Sequence, residues 1–210
     1  MRLASAMPDK DPALRAHYAK LALKRLRAYP EGKGAEIRER ITAGNLALIR
    51  ETSSVAWLPT EVFIELCDAI LAVLGETPAR EFWTDLMRDS YDHGMLKPLT
   101  MLAQFSLGRT GASRLLRTAP HAWALSTRAC GTIELTGEQD AAADARGMRL
   151  RGVEIPPGIL HSEGFICVFY GACRAMLDVF KSRGEIRVLE QNSTGGERSQ
   201  LAFEIVFAGE

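Results

Sequence analysis

The sequence predicts one α+β domain over residues 1–210: a helical part (1–119), then a four-stranded antiparallel sheet in hairpin–helix–hairpin order (120–210). Three observations carry this. Apolar residues recur at helical spacing through the first half, and at Pro120 the period drops from about 3.6 to 2. A single long amphipathic stretch then separates two pairs of alternating segments.

The helical elements come first. Asp11 followed by Pro12 reads as an N-cap with proline at the first helical position. Leu14, Tyr18, Leu21 and Ala22 then keep helical spacing until Tyr29-Pro30. After Gly32 and Gly34, a second helix carries Ile37, Ile41, Leu48 and Ile49. Pro59-Thr60 opens a third, with Phe63, Leu66, Ile70 and Val73 as its stripe and Gly75 as its end. Thr77-Pro78 opens a fourth with Phe82, Trp83 and Leu86, closed by His93-Gly94. Short helices are expected from Pro98 and over residues 113–118.

From Pro120, Trp123, Leu125, Thr127, Ala129, Gly131, Ile133 and Leu135 alternate with polar residues, which predicts a half-buried strand over 122–136. A partner strand over 147–155 follows the polar loop at Asp140–Asp144 and stops at Pro156-Pro157-Gly158. After a helix over 162–181 come strands near 186–191 and 200–207, with the turn Asn192-Ser193-Thr194-Gly195-Gly196 between them.

The 162–181 helix is the most informative element. At 100° per residue, Phe165, Ile166, Phe169, Ala172, Cys173, Met176, Leu177 and Phe180 fill about half its circumference. So wide an arc predicts packing on a sheet and on other helices together. Gly164, Gly171 and Ala175 form a seam of small residues on the other side. It invites close approach by another backbone, a second copy of the chain or a flat ligand; the competing reading is exposed glycine that a helix merely tolerates.

Composition excludes some functions. Lys plus Arg and Asp plus Glu both number 26, so the net charge is zero, which argues against a nucleic-acid-binding domain. The basic residues crowd the first forty positions, from Arg2 and Lys10 to Arg38 and Arg40. They read as a solvated helix face, with an anionic partner as the competing reading. Residues 1–10 contain no apolar h-region, and no apolar run is long enough to span a membrane. A cytoplasmic protein is expected. Cys67, Cys130, Cys167 and Cys173 are scattered, without a Cys-x-x-Cys, and read as small buried hydrophobes rather than disulfides.

Signatures of catalysis are missing from the sequence: no Gly-x-Ser-x-Gly elbow, phosphate loop or dinucleotide fingerprint occurs. His17, His93, His121 and His161 lie far apart, none with a Cys or carboxylate at ligand spacing. Asp85, Asp89 and Asp92 share one helix face and read as solvated. No catalytic residue, metal or cofactor is assigned.

Leu74-Gly75, Phe82-Trp83, Gly108-Arg109, Cys130-Gly131, Phe169-Tyr170-Gly171 and Phe203-Glu204-Ile205-Val206 together resemble a myxobacterial paralogous family of unknown function, over about the last two thirds of the chain. That family is similar to the superfamily of haem-nitric-oxide-binding domains, 4-vinyl-reductase-like domains and related trafficking-complex subunits. The resemblance implies a helical layer over a four-stranded antiparallel sheet that binds a small ligand or assembles a homodimer. Two departures stand out. The Tyr-x-Ser-x-Arg motif that holds haem propionates is absent, the nearest stretch being Ser106-Leu107-Gly108-Arg109. Where the vinyl-reductase-like domains end on Glu-x-x-Cys, this chain keeps Glu190 but has Asn192 and Ser199 near the cysteine positions. Both departures count against haem and against zinc.

The expected function is therefore non-catalytic binding of an apolar small molecule, with a dimerising interaction module as the alternative. A pocket between the layers would be lined by Phe165, Phe169 and Cys173, with Trp123 opposite on the first strand.

Overall fold

The computed structural model describes residues 11–93, 96–98, 100–101, 116–136, 147–192 and 198–207. The expected helix over 113–118 falls mostly outside them, as do Arg2, Lys10, Gly108-Arg109 and most of the two turns at 140–144 and 192–196.

The first described element corrects the sequence reading. Residues Ala13–Arg15 are a strand, β1, and not the opening of a helix. β1 pairs antiparallel with β2 (Trp57–Pro59) on one side and β3 (Thr127–Arg128) on the other. Strands of two or three residues are too short for alternation to register, and their partners are remote in sequence; tertiary pairing overrides local pattern here. Helix α1 (Ala16–Leu26) therefore starts at Ala16, with Arg15 rather than Asp11 as its N-cap.

The basic side of α1 is engaged within the chain. Lys20 Nζ donates to the carbonyls of Arg50 (2.9 Å) and Thr52 (2.5 Å). Arg25 reaches Asp85 and Asp89, each at 2.9 Å, so two of the three aspartates read as solvated are partners of an arginine. The helix expected through Ile37 and Ile49 is two helices, α2 (Lys33–Glu39) and α3 (Ala43–Glu51). Thr42 divides them, its Oγ1 accepting from Asn45 N (3.4 Å) as an N-cap.

Helices α4 (Thr60–Leu74) and α5 (Glu76–His93) follow the predicted stripes, which bury Phe63, Leu66 and Ile70, then Phe82, Trp83 and Leu86. A second correction falls at Pro120. Ala119–Ser126 is a helix, α6, with the proline in its first turn, where a missing N–H is harmless. Trp123 thus sits on a helix, and the strand expected over 122–136 is reduced to β3 and β4 (Thr132–Thr136).

From β4 onward the hairpin–helix–hairpin arrangement is as expected. β5 (Met148–Val153), the short helix α7 (Pro157–His161), α8 (Glu163–Val179), β6 (Gly184–Asn192) and β7 (Arg198–Phe207) follow in turn. The sheet order is β4-β5-β7-β6, every pair antiparallel. Leu135, Leu150, Phe203 and Val188 stand in register across all four strands, and they pack toward the core. Glu204 alternates to the other face, where it meets Arg149 at 3.0 Å and Arg187 at 3.6 Å.

Helix α8 lies between the sheet and the α4/α5 pair. Ser162 caps it, its Oγ accepting from Phe165 N (2.9 Å), and Asp68 on α4 accepts from Ser162 Oγ (2.7 Å) and Gly164 N (3.1 Å). The small-residue seam is buried by the chain itself. A Cβ at Gly164 would collide with the Cys67 carbonyl, and one at Gly171 would lie 2.7 Å from the backbone of Trp83 and Thr84. Ala175 is fully buried. The backbones that approach are α4 and α5, so the seam presents no face to a second copy or a flat ligand.

Candidate functional site: a cavity between the layers

A cavity of about 90 Å³ lies where the helical layer meets the sheet. Its walls come from both: Leu14 and Tyr18 near the start of the described chain, Phe63, Met87 and Tyr91 from α4 and α5, Ile133 and Leu150 from β4 and β5. The four residues predicted to line a pocket, Trp123, Phe165, Phe169 and Cys173, all contribute to this wall.

Aromatic packing shapes it. The Trp123 ring lies 5.1 Å from Phe169, centroid to centroid, and 6.5 Å from Phe165 in an edge-on arrangement. Phe169 stacks on Phe203 of the sheet at 5.4 Å and 15°, while Phe165 meets Phe63 edge-on at 5.8 Å. These are the offset and edge-to-face geometries that ring quadrupoles favour. The Trp123 indole N–H is turned away from the aliphatic wall to donate to Gly131 O (3.1 Å), so the ring presents hydrocarbon to the cavity.

Polar groups gather at one end. Tyr18 and Ser126 share a hydrogen bond between their hydroxyls at 2.9 Å. Burial pushes the Tyr18 phenol up to about 12 despite that bond. Tyr91 is driven well above the ordinary tyrosine range by burial, and the Cys173 thiol, also by burial, up to about 12. All three are uncharged at neutral pH, and among the described residues no lining side chain is an Asp, Glu, Lys, Arg or His.

Sequence reasoning missed Tyr18, Ser126, Tyr91, Ile133 and Leu150 as wall residues. Tyr18, Ile133 and Leu150 were legible as core positions from their spacing. In Tyr91-Asp92-His93-Gly94 the histidine is the conspicuous residue, yet His93 is exposed and its buried neighbour Tyr91 reaches the cavity. His121 and His161 are exposed as well, and His17, half-buried, has its pKa lowered by desolvation and does not line the cavity.

The four cysteines are buried free thiols. Among the described residues no three His, Cys, Asp or Glu side chains come together as a metal site would need. Among the same residues no helix is long and apolar enough to cross a membrane.

No family model matches the chain, and no curated protein does. Solved structures do resemble it. A Cs H-NOX mutant carrying 4-cyano-L-phenylalanine superposes with a TM-score of 0.57 at 11% identity, over 93% of this chain and 97% of that one. An oxygen-binding H-NOX domain related to soluble guanylate cyclases gives 0.53 at 13%, over 93% and 96%. A mutant H-NOX protein from K. algicida, in its Fe(II) unliganded form, gives 0.54 at 14%, over 94% and 98%. At such identity the likeness is one of fold.

Proposed function

We propose that this chain is a non-catalytic receptor for a small apolar molecule, held in the cavity between the helical layer and the sheet. The carrying observation is the wall itself: aromatic and aliphatic side chains from both layers surround a void with hydroxyls at one end. Ligand sites commonly have this composition and sit where two layers meet. Apolar cavities of about 150 Å³ stay dry and take up benzene. A void of about 90 Å³ is about three-fifths of that volume, so it suits a guest no larger than a single ring and takes benzene only as the wall yields.

The neighbours in fold are H-NOX domains, one described as oxygen-binding, and another solved structure of this fold concerns haem redox potential. Haem itself does not fit the described residues of the cavity. None of the four histidines lines the cavity, so none is placed to ligate iron. Cys173 and the two tyrosines are held neutral by burial, and among the described residues the wall offers no cation to meet a propionate. The reading is thus a receptor with the haem-domain fold and a different guest. Its finer affiliation with the myxobacterial paralogous family rests on the sequence motifs given above.

The test is to fill the void. Cys173 is 1% exposed and faces the cavity. In Cys173→Phe the added ring should occupy the space of the guest. Benzene should raise the melting temperature of the unaltered protein saturably and leave that of the variant unmoved, with folding stability changed by less than about 1 kcal/mol. In a close-packed core the same change overpacks and costs about 1–3 kcal/mol; a large drop in melting temperature would mean there is no receptor cavity at Cys173.

A further inference from the structure

We infer that the cavity selects an uncharged guest bearing one hydroxyl or carbonyl group, held by Tyr18 and Ser126. This rests on the receptor reading and adds to it the chemical class of the guest. Neutrality follows from the wall. Among the described residues it contains no charged side chain, and its three titratable groups are all held in their neutral forms by burial. A carboxylate or ammonium entering this space would lose its hydration and gain no counter-charge, which strongly disfavours the ionised form.

The single polar anchor follows from counting donors. Tyr18 OH and Ser126 Oγ lie 2.9 Å apart, and each hydroxyl carries one proton and accepting lone pairs. One proton is used within the pair. Beyond that bond the Tyr18 phenol has only Ser90 Oγ beside it, so the pair keeps hydrogen-bonding capacity that a guest can use. Ser90 Oγ supplies a second, independent observation. Ser90 is 0% exposed, lies close to the same phenol, and makes no hydrogen bond of normal geometry. Three hydroxyls from α1, α5 and the last residue of α6 thus converge with fewer bonds than they can make, Tyr18 and Ser126 in the cavity wall and Ser90 behind it. Buried polar groups left in that state are destabilising, and a guest with one hydroxyl or carbonyl at this end relieves it. Two further hydroxyls belong to the wall: Thr127 Oγ1 is already committed to Trp123 O at 2.8 Å, and Tyr91 carries a second buried phenol. The Tyr18–Ser126 pair is therefore the place in the wall where two hydroxyls together can hold one polar group of a guest.

Benzene, phenol and benzoate share a ring and differ in this one group, so they test the inference directly by calorimetric titration. The unaltered protein should bind phenol roughly fivefold more tightly than benzene, the ratio one net hydrogen bond supplies, and should not bind benzoate detectably. In Tyr18→Phe the phenol-to-benzene ratio should fall toward one through weaker phenol binding, with benzene unchanged. Ser126→Ala should lower the same ratio, and it serves if the tyrosine variant does not fold. Equal binding of phenol and benzene by the unaltered protein, or a ratio unmoved in both variants, would overturn the anchor. Benzoate bound as tightly as phenol would overturn neutrality. Binding of neither benzene nor phenol would instead remove the receptor reading, and this inference with it.

Discussion

Tyr18, Cys167 and Cys173 share a thermodynamic consequence of their burial. Desolvation lifts the Tyr18 phenol from an ordinary 10.0 to about 12, and the Cys173 and Cys167 thiols from 9.0 to about 12 and about 11. In each case the folded state holds its proton more tightly than the unfolded chain does. The sign is that of a raised pKa: the stabilisation is complete below the unfolded value and is lost as pH rises toward the folded one. The melting temperature should therefore hold steady below about pH 9 and fall progressively between about 9 and 12. Replacing Cys173 by Ala should make the upper part of that fall shallower. A melting temperature constant to about pH 11 would contradict the burial of these groups. The scattered spacing of the four cysteines already marks them as buried hydrophobes, which is how the fold uses them. It could not show that three hydroxyls meet beside one of the tyrosines, because Tyr18, Ser90 and Ser126 are brought together only by helix packing.

Among the elements, α8 shows best what could be read in advance and what could not. Its span, its broad apolar arc and its small-residue seam were all visible in the spacing of residues 162–181. What occupies the seam was not visible, since spacing shows that something can come close without naming it. The answer is the α4/α5 pair. Gly171→Ala should accordingly destabilise the fold by about 1–3 kcal/mol through forced separation of α8 from α5, outweighing the gain of up to about 1 kcal/mol in helix propensity. Denaturant midpoints of the two proteins would measure this, and a variant as stable as the parent would show that the two helices can part without loss. α6 is the counter-example. Trp123, Leu125 and Thr127 alternate as a strand would, but the proline ahead of them also suits a first helical turn, and Trp123 completes the cavity wall from a helix. Short alternating stretches fit either period, and tertiary packing decided this one.

For the molecule as a whole, the α+β class and the paired hairpins were legible because each half keeps one hydrophobic period over many residues. The cavity was only half legible. Its four predicted wall residues come together, while the void between them belongs to the packing of both layers and has no signature in any one segment. The absence of a histidine from that wall yields a prediction at this scale. Haemin added to the purified protein should give no sharp Soret band and no stoichiometric complex, in contrast to the chemistry named for its neighbours in fold. A one-to-one complex with a sharp band would require a ligand from elsewhere in the chain and would overturn the assignment of the guest.

The Arg15 clamp bears on the order in which the chain can fold. The guanidinium of Arg15 lies 3.7 Å from the Trp57 ring centroid and donates to Val55 O and Leu125 O. Next to it, β1 lies between strands drawn from residues 57–59 and 127–128. The contact with Leu125 closes a separation of 110 residues. Contacts so far apart along the chain form late, because the closure entropy of the intervening segment must be met first. As the chain leaves the ribosome, α1 to α5 can emerge and associate while the central strand of this small sheet still lacks one edge. That edge arrives with Thr127 and Arg128, the two residues that follow the cavity-lining helix directly. The strand that closes the small sheet and the helix that carries Trp123 into the cavity wall are therefore made together, and the wall is completed later still, by Ile133, Leu150 and the α8 residues Phe165, Phe169 and Cys173.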